Sequence, residues 1–259
     1  MRRVTKPAVP ALLVLLVAVV TLAVGSVGAE AVGSCWGQAP TLPAGTSIGT
    51  AGDDVMLGTP GDDVMNGLGG DDTICGGLGN DTIDGGPGWD RLRGEDGNDR
   101  IYGQDGCDWL MGGSGNDVLV PGPGGSSCAG FIKGGPGRDR IVIDAEGDND
   151  VHGGLGRDTI DFRNAPVAMD VDLRIFHYDS LGAPPIGSLV SKTENVYGSA
   201  YADSISGNDV ANRLFGFGGN DYIDGRGGDD YLNGGRGTDL LYGGPGTDTC
   251  FAGETLSSC

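Results

Sequence analysis

A nine-residue period governs this chain. From Gly49 to Val120, 72 residues divide without a gap into eight nonads: GTAGDDVML, GTPGDDVMN, GLGGDDTIC, GGLGNDTID, GGPGWDRLR, GEDGNDRIY, GQDGCDWLM and GGSGNDVLV. Each has Gly at positions 1 and 4, Asp at position 6 and a large apolar residue at position 8. A second block holds GGPGRDRIV (134–142) and, after the extra Ile143, DAEGDNDVH and GGLGRDTID (153–161). A third block covers 198–251: GSAYADSIS, GNDVANRLF, GFGGNDYID, GRGGDDYLN, GGRGTDLLY and GGPGTDTCF. One nonad cannot bury its own apolar residue, so repeats of this kind fold only by stacking on one another.

The residue types fit a turn followed by a short strand. Glycines at positions 1 and 4 permit the tight or left-handed backbone that a turn needs. Asn or Asp at position 5, as in Asp53, Asp62, Asn80, Asn98 and Asn116, tolerates the same conformations. Positions 7–9 are β-prone, and alternation sends the middle residue to one face. That column reads Met56, Met65, Ile74, Ile83, Leu92, Ile101, Leu110 and Leu119, a narrow apolar strip.

The pattern resembles the G-G-x-G-x-D-x-U-x repeat of RTX, or haemolysin-type, calcium-binding proteins, where U is a large apolar residue. The resemblance covers nearly all of the chain beyond its N-terminal leader. It implies an all-β fold, a right-handed parallel β-roll with two nonads per coil, in which six residues form a calcium-binding turn and three a strand. Two nonads per coil place residue i beside i+18, about 4.8 Å along the stack. Asp54 then neighbours Asp72, and Asp63 neighbours Asp81. Calcium takes about 6–8 oxygens at about 2.3–2.6 Å, so an ion fits between such carboxylates with turn carbonyls completing its shell. Magnesium demands a tighter octahedron and keeps its water. The metal residues implied are Asp54, Asp63, Asp72, Asp81, Asp90, Asp99, Asp108, Asp117, Asp139, Asp158, Asp203, Asp221, Asp230, Asp239 and Asp248. Asn149 and Asn212 replace the aspartate in their nonads, and Tyr201 and Val210 replace the second glycine, so calcium should be weaker or absent there.

Two stretches leave the period. Residues 121–133 read as an excursion. Residues 162–197 read as a strand insertion, because MDVDLRIF alternates Val171, Leu173 and Ile175 against Asp170, Asp172 and Arg174. Glu194-Asn195-Val196 extends the resemblance, since RTX rolls carry such a segment before a new repeat. The alternative for this insertion is a ligand-binding flap bearing His177, Tyr178 and Asp179.

Residues 1–31 have the form of a secretory signal peptide: Arg2, Arg3 and Lys6, an apolar run from about Ala8 to Val24, and the A-x-A-like Ala29-Glu30-Ala31. No later segment is apolar enough to span a membrane. Six cysteines in an exported chain point to disulfides. Cys250–Cys259 would close the last coil. Cys107 lies 18 residues before position 125, so Cys128 would tether the excursion to it. Cys35–Cys75 would then pin the N-terminal segment. The expected organisation is a signal peptide (1–31), an N-terminal cap (32–48), a roll (49–161), the insertion (162–197), a second roll (198–251) and a C-terminal cap (252–259). The leader and cysteines depart from one-step-secreted RTX toxins and proteases. They resemble signal-bearing RTX-repeat proteins of high-GC Gram-positive bacteria.

Composition excludes other classes. Gly supplies 53 of 259 residues and the formal net charge is -20. A polyanion repels nucleic acid, and the glycines do not fall at every third position as in collagen. No C-x-x-C exists, and His152 and His177 are far from zinc-ligand spacing. No H-E-x-x-H occurs. Gly45-Thr46-Ser47-Ile48-Gly49 matches the hydrolase elbow G-x-S-x-G, but too few residues precede it to form the required strand. Thr50 and Thr59 share position 2, yet Leu68, Gly77 and Gly86 follow, so no ice-binding threonine plane forms. The expected function is therefore a secreted calcium-binding roll with several Ca²⁺ ions and no catalytic domain. The alternative is an adhesin or cell-surface ligand-binding module that uses the roll as scaffold.

Overall fold

The structure is a computed structural model that describes residues 34–123, 129–144, 148–174, 177–180, 189–251, 255–257 and 259. The expected leader (1–31) and Cys128 lie outside them.

Short strands alternate between two parallel sheets. In chain order they are β1 (Val55–Leu57), β2 (Val64–Asn66), β3 (Thr73–Leu78), β4 (Thr82–Asp84), β5 (Arg91–Asp96), β6 (Arg100–Tyr102), β7 (Trp109–Ser114) and β8 (Val118–Val120). Then follow β9 (Ala129–Gly137), β10 (Arg140–Val142), β11 (Asp148–Gly156), β12 (Thr159–Asp161), β13 (Met169–Asp172), β14 (His177–Ser180), β15 (Leu189–Ser191) and β16 (Asn195–Tyr197). The last are β17 (Ser204–Ser206), β18 (Arg213–Phe215), β19 (Tyr222–Asp224), β20 (Tyr231–Asn233), β21 (Leu240–Tyr242), β22 (Thr249–Phe251) and β23 (Thr255–Ser257). One sheet has 13 strands, in the order β1-β3-β5-β7-β9-β11-β15-β14-β13-β17-β19-β21-β23, and the other 10, in the order β2-β4-β6-β8-β10-β12-β16-β18-β20-β22. The chain is an all-β parallel solenoid.

The register is the expected one: Val55 pairs with Thr73, Thr73 with Arg91, and Thr82 with Arg100. In the three-residue strands of the nonads the middle side chain points inward. Ile74, Ile83, Leu92, Ile101, Leu110 and Leu119 are completely buried, and Ile205, Leu214, Ile223 and Leu232 continue the strip. Cys250, at the same repeat position in the last nonad, is only partly buried. It lies on β22, the terminal strand of its sheet, with no further coil to cover it.

The excursion shifts the stacking from 18 to 22 residues, as between Asp117 and Asp139, and the extra Ile143 makes the next step 19, from Asp139 to Asp158. The sheet partner of Trp109 is therefore Phe131 rather than residue 127.

The insertion is built into the sheet. β15 pairs parallel with β11, β14 antiparallel with β13 and β15, and β13 parallel with β17. Three strands thus separate β11 from β17 in one sheet, where β16 alone separates β12 from β18 in the other. Phe162, the largest fully buried side chain among the described residues, packs in the core with Ala165, Met169 and Leu173 from this region. Beside it the buried Asp161 is paired with both Arg140 and Arg163. The extra-strand reading of the insertion is the one the backbone adopts. The side chains of His177, Tyr178 and Asp179 lie outside the description.

Both ends are stapled. Cys35–Cys75 and Cys250–Cys259 form as expected. Cys107 is also disulfide-bonded. At the N-terminal end Thr41 donates its N–H to Val55 O, Gly45 to Leu57 O, and Leu42 packs on the core. Ser47, the serine of the G-x-S-x-G match, sits in this cap. Its carbonyl accepts from Asn66 N, and the chain runs into the first nonad turn rather than a helix.

Candidate metal-binding turns

The turns stack as the strands do. Gly97, at position 4 of its nonad, has φ +151, and a Cβ there would lie 1.6 Å from the carbonyl oxygen of Gly79 one coil earlier. Gly94, at position 1, has the Asp99 Oδ2 atom 2.0 Å from where its Cβ would be. Only glycine leaves room for both the carbonyl stack and the carboxylate.

The position-6 aspartates form two columns along the stack. In each, Oδ1 accepts a backbone N–H from the aspartate one coil earlier: Asp63 N to Asp81 Oδ1 at 2.8 Å, Asp81 N to Asp99 Oδ1 at 2.8 Å, and Asp99 N to Asp117 Oδ1 at 2.9 Å. The other oxygen behaves differently. Oδ2 is buried without a hydrogen-bond partner in Asp72, Asp81, Asp90, Asp99, Asp108, Asp117, Asp139, Asp158, Asp221, Asp230, Asp239 and Asp248. A buried carboxylate oxygen without a donor costs free energy, so a repeated column of them calls for a cation.

Three of the expected residues are satisfied within the protein. Asp54 Oδ2 accepts from Thr50 N and Oγ1 at 2.6 and 2.9 Å, Asp63 Oδ2 from Thr59 N and Oγ1 at the same distances, and Asp203 from Ser199 N and Oγ at 2.6 and 2.7 Å. Each of the three opens a run of stacked turns. A hydroxyl replaces the position-2 glycine there and caps the carboxylate. Sequence reasoning met Thr50 and Thr59 only as a failed ice-binding column.

Two further residues escaped it. Glu194 accepts the Asp158 N–H through Oε2 at 2.9 Å, so it stands in the column where the insertion removes an aspartate. Gly130 occupies the slot that follows Asp108, beside Asn149 Oδ1, which interrupts the other column. Asn149 and not Asp150 is therefore in register. Asn212 also sits in register, donating its N–H to Asp230 Oδ1.

Position 5 is a hydrogen-bond ladder of its own. Asn98 N and Nδ2 both donate to Asn80 Oδ1, at 2.9 and 3.0 Å, and Asn116 repeats the arrangement on Asn98. These side chains are engaged with the neighbouring coil.

Burial pushes the column carboxyls up, with like-charged neighbours adding to it against the lowering effect of the backbone N–H. Asp72, Asp81, Asp139 and Asp230 reach about 6, and Asp90, Asp108, Asp117, Asp158 and Asp221 about 7. A carboxyl raised above its unfolded value of 3.8 binds protons more tightly when folded. Its contribution to stability is complete below the unfolded value and is lost as pH rises through about 6–7. Metal-free protein should therefore gain β-structure in chelator as pH falls from 8 to 5, read by circular dichroism. Constant signal over that range would contradict the electrostatic account.

Among the described residues no three His, Cys, Asp or Glu side chains converge on one point. A cation between these turns must take most of its oxygens from the backbone. The donors present are hard oxygens, which suit calcium.

A family model, the RTX calcium-binding nonapeptide repeat (4 copies), matches residues 48–83, 84–119, 130–160, 197–232 and 225–254. The chain belongs to the RTX calcium-binding nonapeptide-repeat family, which is defined by a calcium-binding scaffold rather than a catalytic centre. A search of curated proteins returned no match.

Proposed function

We propose that this protein is an exported calcium-binding β-roll in which ions sit between stacked turns and hold the coils together. The single observation that carries this reading is the repeated buried carboxylate oxygen without a donor. The residues that would hold calcium are the twelve aspartates with that oxygen, from Asp72 to Asp248, together with turn carbonyls. Asp54, Asp63 and Asp203 are capped by hydroxyls and serve mainly as ends of the stacks. Bound calcium supplies the positive charge that cancels repulsion within each column. Export rests on the form of residues 1–31 and on the disulfides, which persist in oxidising compartments. Among the described residues no helix is long and apolar enough to cross a membrane.

The test compares two aspartates. Asp99 lies between Asp81 and Asp117 in its column, whereas Asp248 precedes the last strand of its sheet and has Asp230 as its column neighbour. Asp99→Ala should lose more calcium per chain than Asp248→Ala, measured by equilibrium dialysis with folding checked. Equal losses, or no loss from Asp99→Ala, would remove the shared-column reading.

A further inference from the structure

The outward face of the 13-stranded sheet carries a stripe of rings that the turns do not require. In register, Arg91, Trp109 and Phe131 follow one another in one row, and Arg93, Met111, Lys133 and His152 in the next. Ring centroids lie 6.4 Å apart for Trp36 and Trp109, 6.0 Å for Trp109 and Phe131, and 5.5 Å for Phe131 and His152. Trp36 belongs to no repeat. The Cys35–Cys75 disulfide holds it against this face, with the Arg93 guanidinium 5.5 Å from its ring centre. Its indole N–H is buried without an acceptor. Arg91 lies 5.7 Å from the Trp109 ring, which remains 45% exposed.

Stacking between strands accounts for a ladder of Trp109, Phe131 and His152. It does not account for a tryptophan brought in from outside the repeats, nor for cations collected on one face of a chain of net charge -20. Glu95 lies 3.8 Å from Arg93, and Asp150, 3.3 Å from the His152 ring, adds a second carboxylate to the face, so part of the positive charge is offset. Arg91 and Lys133 remain beside the rings with no carboxylate in ion-pair distance among the described residues. With calcium bound between the turns, as proposed above, the turn carboxylates are neutralised, and in the calcium-loaded protein they do not cancel the cations on this face.

We propose that this face binds an acidic polysaccharide laid along the stacking axis. Sugar rings would cover the aromatic faces, and carboxylate or sulfate groups would meet Arg91, Arg93 and Lys133 in charge-assisted hydrogen bonds. A parallel sheet repeats its side chains about every 4.8 Å, so the stripe offers a line of contacts to a polymer, whereas a small ligand needs a concave pocket.

The test is affinity electrophoresis of calcium-loaded protein in gels containing chondroitin sulfate, with neutral dextran and oligothymidylate as reference probes. Chondroitin sulfate should retard the protein and the reference probes should not. Trp109→Ala and Lys133→Ala should each weaken binding about tenfold. Tyr222→Ala, exposed on the same sheet away from the stripe, should leave it unchanged. Circular dichroism in calcium confirms that each variant is folded, and Lys133→Ala decides alone if Trp109→Ala is not. No retardation, equal retardation of wild type and Lys133→Ala, or equal retardation by dextran or oligothymidylate would overturn the proposal.

Discussion

Chelation at pH 8 should convert the protein from β-structure to largely unfolded chain, with only the disulfide-stapled ends retaining order. Each coil buries two inward side chains, such as Ile74 and Ile83, over eighteen residues. Ordering backbone costs about 1–2 kcal/mol per residue, and glycine costs more than other residues, so two buried aliphatics fall far short. Parallel ladders add modest net stability per hydrogen bond. Against them stand the buried carboxylates, whose charge is unfavourable at pH 8 without a counter-ion. Metal binding free energy should then appear as folding free energy. Far-ultraviolet circular dichroism should regain the β-signal as calcium reaches about 10⁻⁴–10⁻³ M, the range of extracellular modules. A chelated spectrum identical to the calcium spectrum would mean that the strip and ladders suffice.

The second large effect should come from a single methyl group. Gly97→Ala places Cβ 1.6 Å from the Gly79 carbonyl oxygen at a φ of +151, so the turn must open or the neighbouring coil must move. The same carbonyl stack is what a bound ion would draw on, and stability and calcium affinity should fall together. The expected loss is about 3 kcal/mol or more in urea unfolding at saturating calcium. Gly52→Ala, at a residue outside the positive-φ region, is the control. It occupies the same repeat position in the first nonad, yet nothing lies within 4 Å of its added Cβ, because no coil precedes it. Its change should stay within about 0.5 kcal/mol. Similar losses from both would show that glycine serves the turn locally and not the stacking.

The contrast between these glycines also marks what a sequence of this kind reveals. The nine-residue period exposes the turn, the inward strip and the aspartate columns. A constant step of 18 then makes neighbours of residues distant in sequence, which is why Asp81 could be set between Asp63 and Asp99. Legibility fails wherever the step changes. The excursion resets it to 22, so Phe131 comes to lie beside Trp109. The alternation of Val171 and Leu173 identifies a strand but not its neighbours. The parallel pairing of β13 with β17 and the antiparallel run through β14 depend on contacts outside the segment. Glu194 was hidden for a related reason, since its role follows from reaching the Asp158 N–H across 36 residues. Thr50, Thr59 and Ser199 cap the aspartates that open each run, a role set by their place at position 2 of those nonads and not by composition.

The most direct measurement is a calorimetric calcium titration of chelated, disulfide-intact protein, with circular dichroism recorded on the same samples. Binding of several calcium ions per chain, with the β-signal rising in step with occupancy and magnesium failing to substitute, is the predicted result. A protein fully β-structured before the first injection, or one that takes up no more than a single ion, would contradict a roll held together by calcium between its turns.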